Sequence, residues 1–244
     1  MKRILTALFV FVLMAGTALA VEEGRFFRYP TIHNDRIVFT YEGDLWFVSA
    51  RGGTACRITT FPGVESFAKF SPDGKSIAFS ATYDGSPAVY LMPAEGGAPT
   101  RLTYQPGSAD VVAWTPDSTK VVFRSMFENV IGRDPNLYYV SVQGGAPERL
   151  PLDRGVLISF SPDGRNFLYC RRGAEEYYWK RYKGGRYQDI WRHDGSAKSY
   201  TPVSDYVGKN SYPMWIGDTM YFVSDRGNGI SNIYAQKIGG REVS

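Results

Sequence analysis

Hydrophobic and polar positions form short runs along this chain, and turn residues close the runs at regular intervals. Residues 67–107 show the pattern most clearly, with four apolar or alternating runs of strand length. Pro72-Asp73-Gly74 ends the first run, because proline presets φ at the second turn position and glycine accepts the positive φ that follows. Gly96-Gly97 ends the third run in the same way. The pattern predicts one small antiparallel sheet of four strands.

This four-run unit recurs along the whole chain. The aromatic residue of the second run returns at spacings of 40, 44, 46 and 53 residues, at Phe39, Phe79, Phe123, Tyr169 and Phe222. The first turn returns as Ser71-Pro72-Asp73-Gly74, Thr115-Pro116-Asp117-Ser118 and Ser161-Pro162-Asp163-Gly164, with weaker copies at His33-Asn34 and Ile216-Gly217. Repeats of this length are typical of β-propeller blades, each of which needs a neighbour to bury both faces. The predicted fold is therefore an all-β propeller.

Five blades of four antiparallel strands are begun, at about residues 25–62, 63–107, 108–154, 155–204 and 205–244. In the first blade, Arg36–Tyr41 and Asp44–Ser49 are predicted as central strands around a Glu42-Gly43 turn. Because alternate side chains leave opposite faces of a strand, Val38 is predicted to face one neighbouring blade and Phe39 the other. The fifth blade reaches its last glycine pair only four residues before the final residue, so its outer strand is barely begun.

The first 20 residues have the form of a secretory signal peptide. Lys2-Arg3 precede an apolar run, Ile4 to Met14, and Ala18-Leu19-Ala20 supplies the small residues that a signal peptidase requires. An uncleaved membrane anchor is the alternative, but the run is short for a span of about 20 apolar residues. We expect cleavage after Ala20, secretion across the inner membrane and a periplasmic location.

Without Lys2-Arg3 the chain has 26 basic and 24 acidic residues, a balance that points to neither nucleic acid nor a membrane surface as a partner.

The fourth blade carries the largest departure from the repeat, residues 171–189, where five aromatic residues are interleaved with six cations. Such a segment can stack bases and hold phosphates, but Glu175 and Glu176 interrupt it and the predicted export argues against nucleic acid. A second interpretation is a long hairpin whose aromatics pack on the propeller while the cations stay solvated. The third is a rim element that contacts a peptide or a partner domain, through Tyr178, Trp179, Lys180, Arg181, Tyr182 and Lys183.

A shorter insertion, residues 125–135, lies at the same place in the third blade, and we expect such insertions on one rim.

The histidines, cysteines and acidic residues of the chain lead us to predict no catalytic residue, no cofactor and no metal site. A serine peptidase needs an activated nucleophile beside an oxyanion hole, and the chain offers only His33, in an exposed turn, and His193, with no Gly-x-Ser-x-Gly elbow. Cys56 and Cys170 fall in different repeats, which predicts two free, buried thiols. Residues 225–229 combine Asp, Asn and Gly without the ligand spacing of a calcium loop, which favours a plain turn.

The repeat resembles the WD-type propellers of the Tol system protein, of prolyl oligopeptidase-like enzymes and of the tricorn protease family. Two segments favour the tricorn family. The order Tyr29-Pro30, Ile37-Val38-Phe39 and Gly43-Asp44-Leu45-Trp46 is similar to the first blade of tricorn proteases. Trp179-Lys180-Arg181-Tyr182-Lys183-Gly184-Gly185 followed by Asp189-Ile190-Trp191 is similar to that family's Trp-Lys-x-Tyr-x-Gly-Gly and Asp-Ile-Trp pattern. The resemblance covers residues 25–244.

The resemblance implies a six-bladed propeller of which five blades are begun, so that the ring is incomplete. In the tricorn family a second propeller, a PDZ-like module and the serine peptidase regions follow, and the catalytic residues lie in those regions. The implied role is the N-terminal propeller of an exported peptidase, forming a chamber wall and peptide filter, with the chain alone expected to be inactive.

The partners that the resemblance implies are peptides or the remaining domains of a longer peptidase. It leaves open that the parent protein assembles with copies of itself. The alternative function is a non-enzymatic periplasmic scaffold of the Tol type that binds protein partners. A prolyl oligopeptidase-like enzyme comes third, since its hydrolase part has no counterpart here.

Overall fold

A computed structural model describes residues 26–129, 134–172 and 182–244 of the chain. Within these ranges the strands form five antiparallel sheets, called blades 1 to 5 in chain order, in which each strand pairs with the next along the chain. Blades 1 to 3 contain β1 (Arg28–His33), β2 (Arg36–Tyr41), β3 (Asp44–Ser49), β4 (Cys56–Arg57), β5 (Glu65–Phe70), β6 (Ser76–Ala81), β7 (Ala88–Pro93), β8 (Thr100–Arg101), β9 (Ala109–Trp114), β10 (Lys120–Ser125), β11 (Asn136–Ser141) and β12 (Glu148–Arg149). Blades 4 and 5 contain β13 (Leu157–Phe160), β14 (Phe167–Cys170), β15 (Ile190–Asp194), β16 (Ser199–Pro202), β17 (Asn210–Ile216), β18 (Thr219–Gly227) and β19 (Ile230–Lys237).

The predicted propeller is confirmed, down to the central strands of blade 1. Blades 1 to 4 have four strands each, whereas blade 5 has three. An isolated bridge between Gln236 and Val243 stands where the fourth strand of blade 5 would lie. The signal-peptide prediction for residues 1–20 lies outside the described residues and stays a prediction.

The Ser-Pro-Asp-Gly turns are built by a repeated set of hydrogen bonds. In blade 2 the Ser71 hydroxyl donates to Asp73 Oδ1 at 2.6 Å, and the backbone N–H of Lys75 donates to the same oxygen at 3.2 Å. Blades 3 and 4 repeat the arrangement with Asp117 and Asp163. In each copy the hydroxyl hydrogen bond lowers the pKa of the aspartate. Each turn therefore satisfies its own polar groups.

Hydrophobic cores lie between successive blades. Leu45 of blade 1 packs with Ile77 and Phe79 of blade 2, and further clusters join blades 2 and 3, blades 3 and 4, and blades 4 and 5. Val38 belongs to the core shared with blade 2, whereas Phe39 lies on the opposite face. The predicted placement of these two side chains on opposite faces is confirmed, and Val38 faces blade 2; among the described residues no neighbouring blade packs on the face of Phe39. The first strands of successive blades contact one another, β1 with β5, β5 with β9, β9 with β13 and β13 with β17, which places them around the centre of the ring.

Blades 1 and 5 each present one sheet face that no other blade covers. Among the described residues, no hydrophobic cluster joins these two blades. The register places Met214, Tyr221 and Ala235 on one face of blade 5, opposite the face that carries Phe222. Val223 and Ile233 lie on the same face as Tyr221. Ile233 is 69% exposed there. We call this surface the open face of blade 5.

Two sequence predictions are corrected. His33 is not exposed in a turn: it ends β1 and is half-buried, with its ring 6.0 Å from that of Phe70. Both thiols are free, but only Cys170 is buried, and Cys56 is exposed. The physical reason is that β4 is a two-residue outer strand, which has solvent on its far side.

Candidate recognition rim

The loops that join the second and third strands of each blade lie on one rim of the ring, together with the connections between blades. Backbone hydrogen bonds tie these segments together: Glu65 N–H donates to Gly43 C=O at 2.6 Å, and Asn210 N–H donates to Gln188 C=O at 3.0 Å. The described parts of both long insertions lie on this rim, residues 126–129 and 134–135 of the first and residues 171–172 and 182–189 of the second. We call it the insertion rim. The Ser-Pro-Asp-Gly and Gly-Gly turns occupy the opposite rim.

An ion pair joins the two insertions into one surface. Arg186 Nη2 lies 2.9 Å from Asp134 Oδ1, and the Asp134 side chain is mostly buried. The side-chain amide of Asn129 donates to the Asp134 carbonyl at 2.8 Å. The guanidinium of Arg172 donates to the Gly185 carbonyl and so closes the base of the second insertion. The described residues 182–189 belong to no strand, so a long β-hairpin does not continue through them.

Four of the predicted contact residues, Tyr178, Trp179, Lys180 and Arg181, lie outside the described residues. Tyr182 and Lys183 are described. Tyr182 folds back over Gly184, where an added Cβ would lie 2.4 Å from the tyrosine hydroxyl. Lys183 Nζ lies 6.0 Å from the centroid of the Tyr206 ring, in the connection between blades 4 and 5. Lys183 is therefore placed at the joint between these blades.

Arg226 lies at the same joint and is held by aromatic rings and neutral acceptors. Its Cζ atom is 5.4 Å from the Tyr206 centroid, 4.9 Å from that of Phe222 and 5.4 Å from that of Tyr234. The guanidinium donates to three further side chains, at Ser204 Oγ (3.1 Å), Asn210 Oδ1 (3.1 Å) and Ser224 Oγ (3.2 Å). Burial lowers the pKa of Arg226. The charge is thus partly desolvated and bound to neutral groups.

Glu65 forms a second polar centre, between blades 1 and 2. The residue is completely buried, and its carboxyl accepts hydrogen bonds from Thr59 Oγ1 at 2.6 Å, Tyr83 OH at 2.7 Å and Leu45 N–H at 3.2 Å. Burial raises the pKa of Glu65, against the lowering effect of these hydrogen bonds. Burial and the adjacent carboxyl also raise the pKa of Tyr83. This arrangement fits a structural clamp between the blades.

A third group surrounds the inner strands at the insertion rim. Tyr29 and Phe67 occupy bulges of β1 and β5 with φ of 51° and 53°, and their ring centroids are 4.2 Å apart. Arg124 lies over Phe67 at 5.1 Å and forms an ion pair with Asp110 at 3.2 Å. Left-handed φ values are unusual for aromatic residues. They turn the rings toward the next blade. Beside them a cavity of about 740 Å³ is lined by Arg28, Tyr29, Thr40 and Glu65, among others.

The two histidines lie in different blades and are not arranged for catalysis with each other. His193 stacks on Phe167, with ring centroids 4.4 Å apart, and burial lowers its pKa. Within the described ranges no group of three or more His, Cys, Asp or Glu residues is arranged to hold a metal ion. Nor do these ranges contain a helix long and apolar enough to cross a membrane.

Sequence reasoning did not single out Glu65, Tyr206 or Arg226. Glu65 is the first residue of β5, the inner strand of blade 2, and an acidic residue at the start of an inner strand could have been predicted to be buried. Arg226 was interpreted as part of a plain turn, yet it continues the alternation of Phe222 and Ser224 toward blade 4. That alternation is the signal that could have found it.

Five antiparallel blades that pack face to face, with their first strands around one centre, define a β-propeller. The chain belongs to the family described as tricorn protease N-terminal beta propeller domain, which matches residues 24–244.

Relatives and solved structures agree with this assignment. Tricorn protease homolog 1 of Streptomyces coelicolor is 30% identical over 219 residues, covering 89% of this chain and 20% of that protein. The crystal structure of the tricorn protease superposes with a TM-score of 0.79 at 28% identity, covering 91% of this chain and 22% of that one. This chain therefore spans about a fifth of the length of these relatives.

Two further matches are a shorter tricorn-like protein and a TolB structure. A protein of Sulfurisphaera tokodaii named as a tricorn-like protease N-terminal subunit is 27% identical over 163 residues, covering 66% of this chain and 82% of that protein. A TolB structure from Agrobacterium tumefaciens superposes with a TM-score of 0.73 at 21% identity, covering 90% of this chain and 79% of that one. At this identity the TolB likeness shows the fold alone.

Proposed function

We propose that this chain is the N-terminal propeller of an exported tricorn-like serine peptidase. The family match over residues 24–244, together with relatives that extend far beyond the matched region, carries the proposal. The described residues bring together no nucleophile, base and oxyanion hole, so the proposed role is accessory. The propeller forms part of a chamber wall and filters the peptides that pass.

A propeller suits this role for a physical reason. The first strands of successive blades line the centre of the ring, and in a closed propeller a narrow central passage would admit an extended chain while excluding a folded one. The open face of blade 5 is consistent with a further blade, because the packing of another sheet would remove Tyr221 and Ile233 from water. The Sulfurisphaera relative supports a variant in which the propeller and the peptidase are separate polypeptides.

The test compares the longer natural gene product with residues 21–244 alone. The longer product is expected to cleave short peptides and to react with a fluorophosphonate probe for activated serines, whereas the short chain does neither. A natural stop after Ser244 without a separate catalytic subunit, or probe labelling of the short chain, would overturn the proposal. Capture of a protein partner without proteolysis would favour the Tol-type scaffold instead.

Export is tested separately. Residues 1–20 fused to a phosphatase that is active only outside the cytoplasm are expected to give activity, with the mature N-terminus at Val21. An inactive fusion would remove the periplasmic location from the proposal while leaving the peptidase assignment intact.

A further inference from the structure

The joint between blades 1 and 2 contains a polar pair where the next joint has apolar residues. Glu65 is the first residue of β5, and the Tyr83 hydroxyl donates to its carboxyl group at 2.7 Å. In the joint between blades 2 and 3 the same places are taken by Ala109, the first residue of β9, and by Phe127. Each aromatic ring contacts the tyrosine of the third strand of its blade, with centroids 4.7 Å apart for Tyr83 and 4.6 Å apart for Phe127. The polar pair is therefore not required for packing the blades.

A hydrogen bond that both joints share makes them directly comparable. The backbone N–H of Leu45 in β3 donates to Thr59 Oγ1 at 2.8 Å, and the backbone N–H of Val89 in β7 donates to Thr103 Oγ1 at 2.8 Å. Glu65 accepts from the same Leu45 N–H at 3.2 Å and from the Thr59 hydroxyl at 2.6 Å. The carboxyl group thus joins a contact that the next joint makes without any ionisable group.

The carboxyl group of Glu65 has no cation to balance a negative charge. The residue is completely buried, and burial raises its pKa. Asp44 also raises this pKa as a like charge, and Asp44 is itself paired with Arg57 at 3.1 Å. The remaining titratable groups beside the clamp and its cavity are Arg28, Glu42, Tyr83 and Tyr90. Because an unbalanced buried charge is costly, ionisation of Glu65 works against the closed joint.

The two ends of this joint are held differently. At the turn rim, Arg36 of blade 1 forms an ion pair with Glu95 of blade 2 at 3.0 Å. At the insertion rim lie the cavity of about 740 Å³ and the Thr40 hydroxyl, which is buried without a hydrogen-bond partner among the described residues. In the next joint the equivalent Ser80 hydroxyl accepts from Val111 N–H at 2.8 Å. The insertion-rim end is therefore the end at which this joint can open.

We propose that the clamp at Glu65 is a pH-sensitive switch, which holds the insertion-rim end of the joint between blades 1 and 2 closed while the carboxyl group is protonated and opens when it ionises. Because β1, β2 and β3 all contact β5, release at the first residue of β5 lets blade 1 tilt about the turn-rim end. The tilt widens the cavity between the two blades. The switch rests on the geometry of this joint and not on the proposed peptidase.

Amide hydrogen exchange of the purified full chain, from about pH 4 to about pH 8, measures this opening. Leu45 N–H is the reporter, and Val89 N–H is the matched control. After division by the intrinsic exchange rate, exchange at Leu45 is expected to be constant below pH 4.5, to rise by up to about tenfold per pH unit above it, and to level off above the folded pKa of Glu65. Val89 is expected to show no such rise, because Ala109 cannot ionise. Equal pH dependence of both amides, or none at Leu45, would overturn the proposal.

Substitutions separate the switch from a general loss of stability. Glu65→Gln preserves the size of the side chain but cannot ionise, so exchange at Leu45 is expected to lose its rise with pH. Glu42→Gln removes an exposed carboxyl group from the same rim and should keep the rise. If Glu65→Gln does not fold, Tyr83→Phe decides: it removes a donor that lowers the pKa of Glu65, so the rise should extend to higher pH. A rise that persists in Glu65→Gln, disappears in Glu42→Gln or is unmoved in Tyr83→Phe contradicts the switch.

Discussion

Two glycines of the Ser-Pro-Asp-Gly turns offer a matched pair for testing how the blades are coupled. Gly74 and Gly164 share the same φ of +70° and the same turn sequence. They differ in what a Cβ atom would meet. At Gly164 it would lie 3.5 Å from Pro116, an ordinary contact, whereas at Gly74 it would lie 2.3 Å from Nε2 of His33 in blade 1. Alanine at position 74 therefore displaces a side chain of the neighbouring blade, and alanine at 164 does not.

The magnitude follows from two separable costs. A left-handed conformation costs an L-residue about 1–2 kcal/mol, and the lower entropy of the unfolded alanine chain returns about 0.4–1 kcal/mol. Gly164→Ala is therefore expected to lower the free energy of unfolding by about 1 kcal/mol. In the Gly74→Ala variant the imidazole of His33 can rotate away from the added methyl group, but it then leaves the Phe70 ring, and such a ring contact contributes about 0.5–1.5 kcal/mol. Gly74→Ala is therefore expected to cost about 2 kcal/mol in total.

Urea unfolding followed by tryptophan fluorescence measures both variants, and a His33→Ala background completes the double-mutant cycle. In that background Gly74→Ala is expected to cost no more than Gly164→Ala, giving a coupling of about 1 kcal/mol between positions 33 and 74. Equal costs of the two glycine variants in the unmodified chain, or zero coupling, would refute the contact between the two blades as the cause.

Two further predictions concern the clamp and the open face. The pKa of Glu65 is raised above its ordinary value of 4.5, so its stabilising contribution is complete below pH 4.5 and is lost as pH rises through the folded pKa. Urea titrations at several pH values should show this decline in the free energy of unfolding of the unmodified chain. The free energy should depend less steeply on pH in Glu65→Gln, whereas the exposed control Glu42→Gln should behave like the unmodified chain. An unchanged pH dependence in Glu65→Gln would contradict the assignment. Residues 21–244 are expected to associate in size-exclusion chromatography because Ile233 and its neighbours are exposed. Ile233→Ser should reduce that association, whereas Val64→Ser, which lies away from the open face, should not. A stable monomer of the unmodified chain would contradict the expectation.

The repeat could be predicted from the sequence because its signals are local. Pro72-Asp73-Gly74 and its copies set the turns within a few residues, and the alternation around Val38 and Phe39 set which face each side chain occupies. Such signals need no knowledge of distant residues. The position of the two insertions within their blades followed from the same spacing.

The polar centres could not be predicted because each depends on residues far apart in the chain. Arg186 meets Asp134 across 52 residues, and Glu65 of blade 2 accepts from the N–H of Leu45 of blade 1 across 20 residues. Arg226 is surrounded by rings from three segments, none of which marks the others in sequence. The error at Cys56 has a related cause: the apolar character of a thiol does not reveal how short the outer strand is.

The two rims differ in how their polar and charged groups are bound. On the turn rim, each aspartate of the repeated turns accepts hydrogen bonds from its own turn, as Asp73 does from Ser71 and Lys75. On the insertion rim, the guanidinium of Arg226 donates to neutral acceptors, and no carboxylate of the described residues lies within ion-pair distance of it. Binding energy is gained where desolvation has already been incurred and an interaction is still unmade. A partner that binds the turn aspartates would therefore compete with hydrogen bonds that are already formed, whereas the charge of Arg226 is bound only to neutral groups among the described residues.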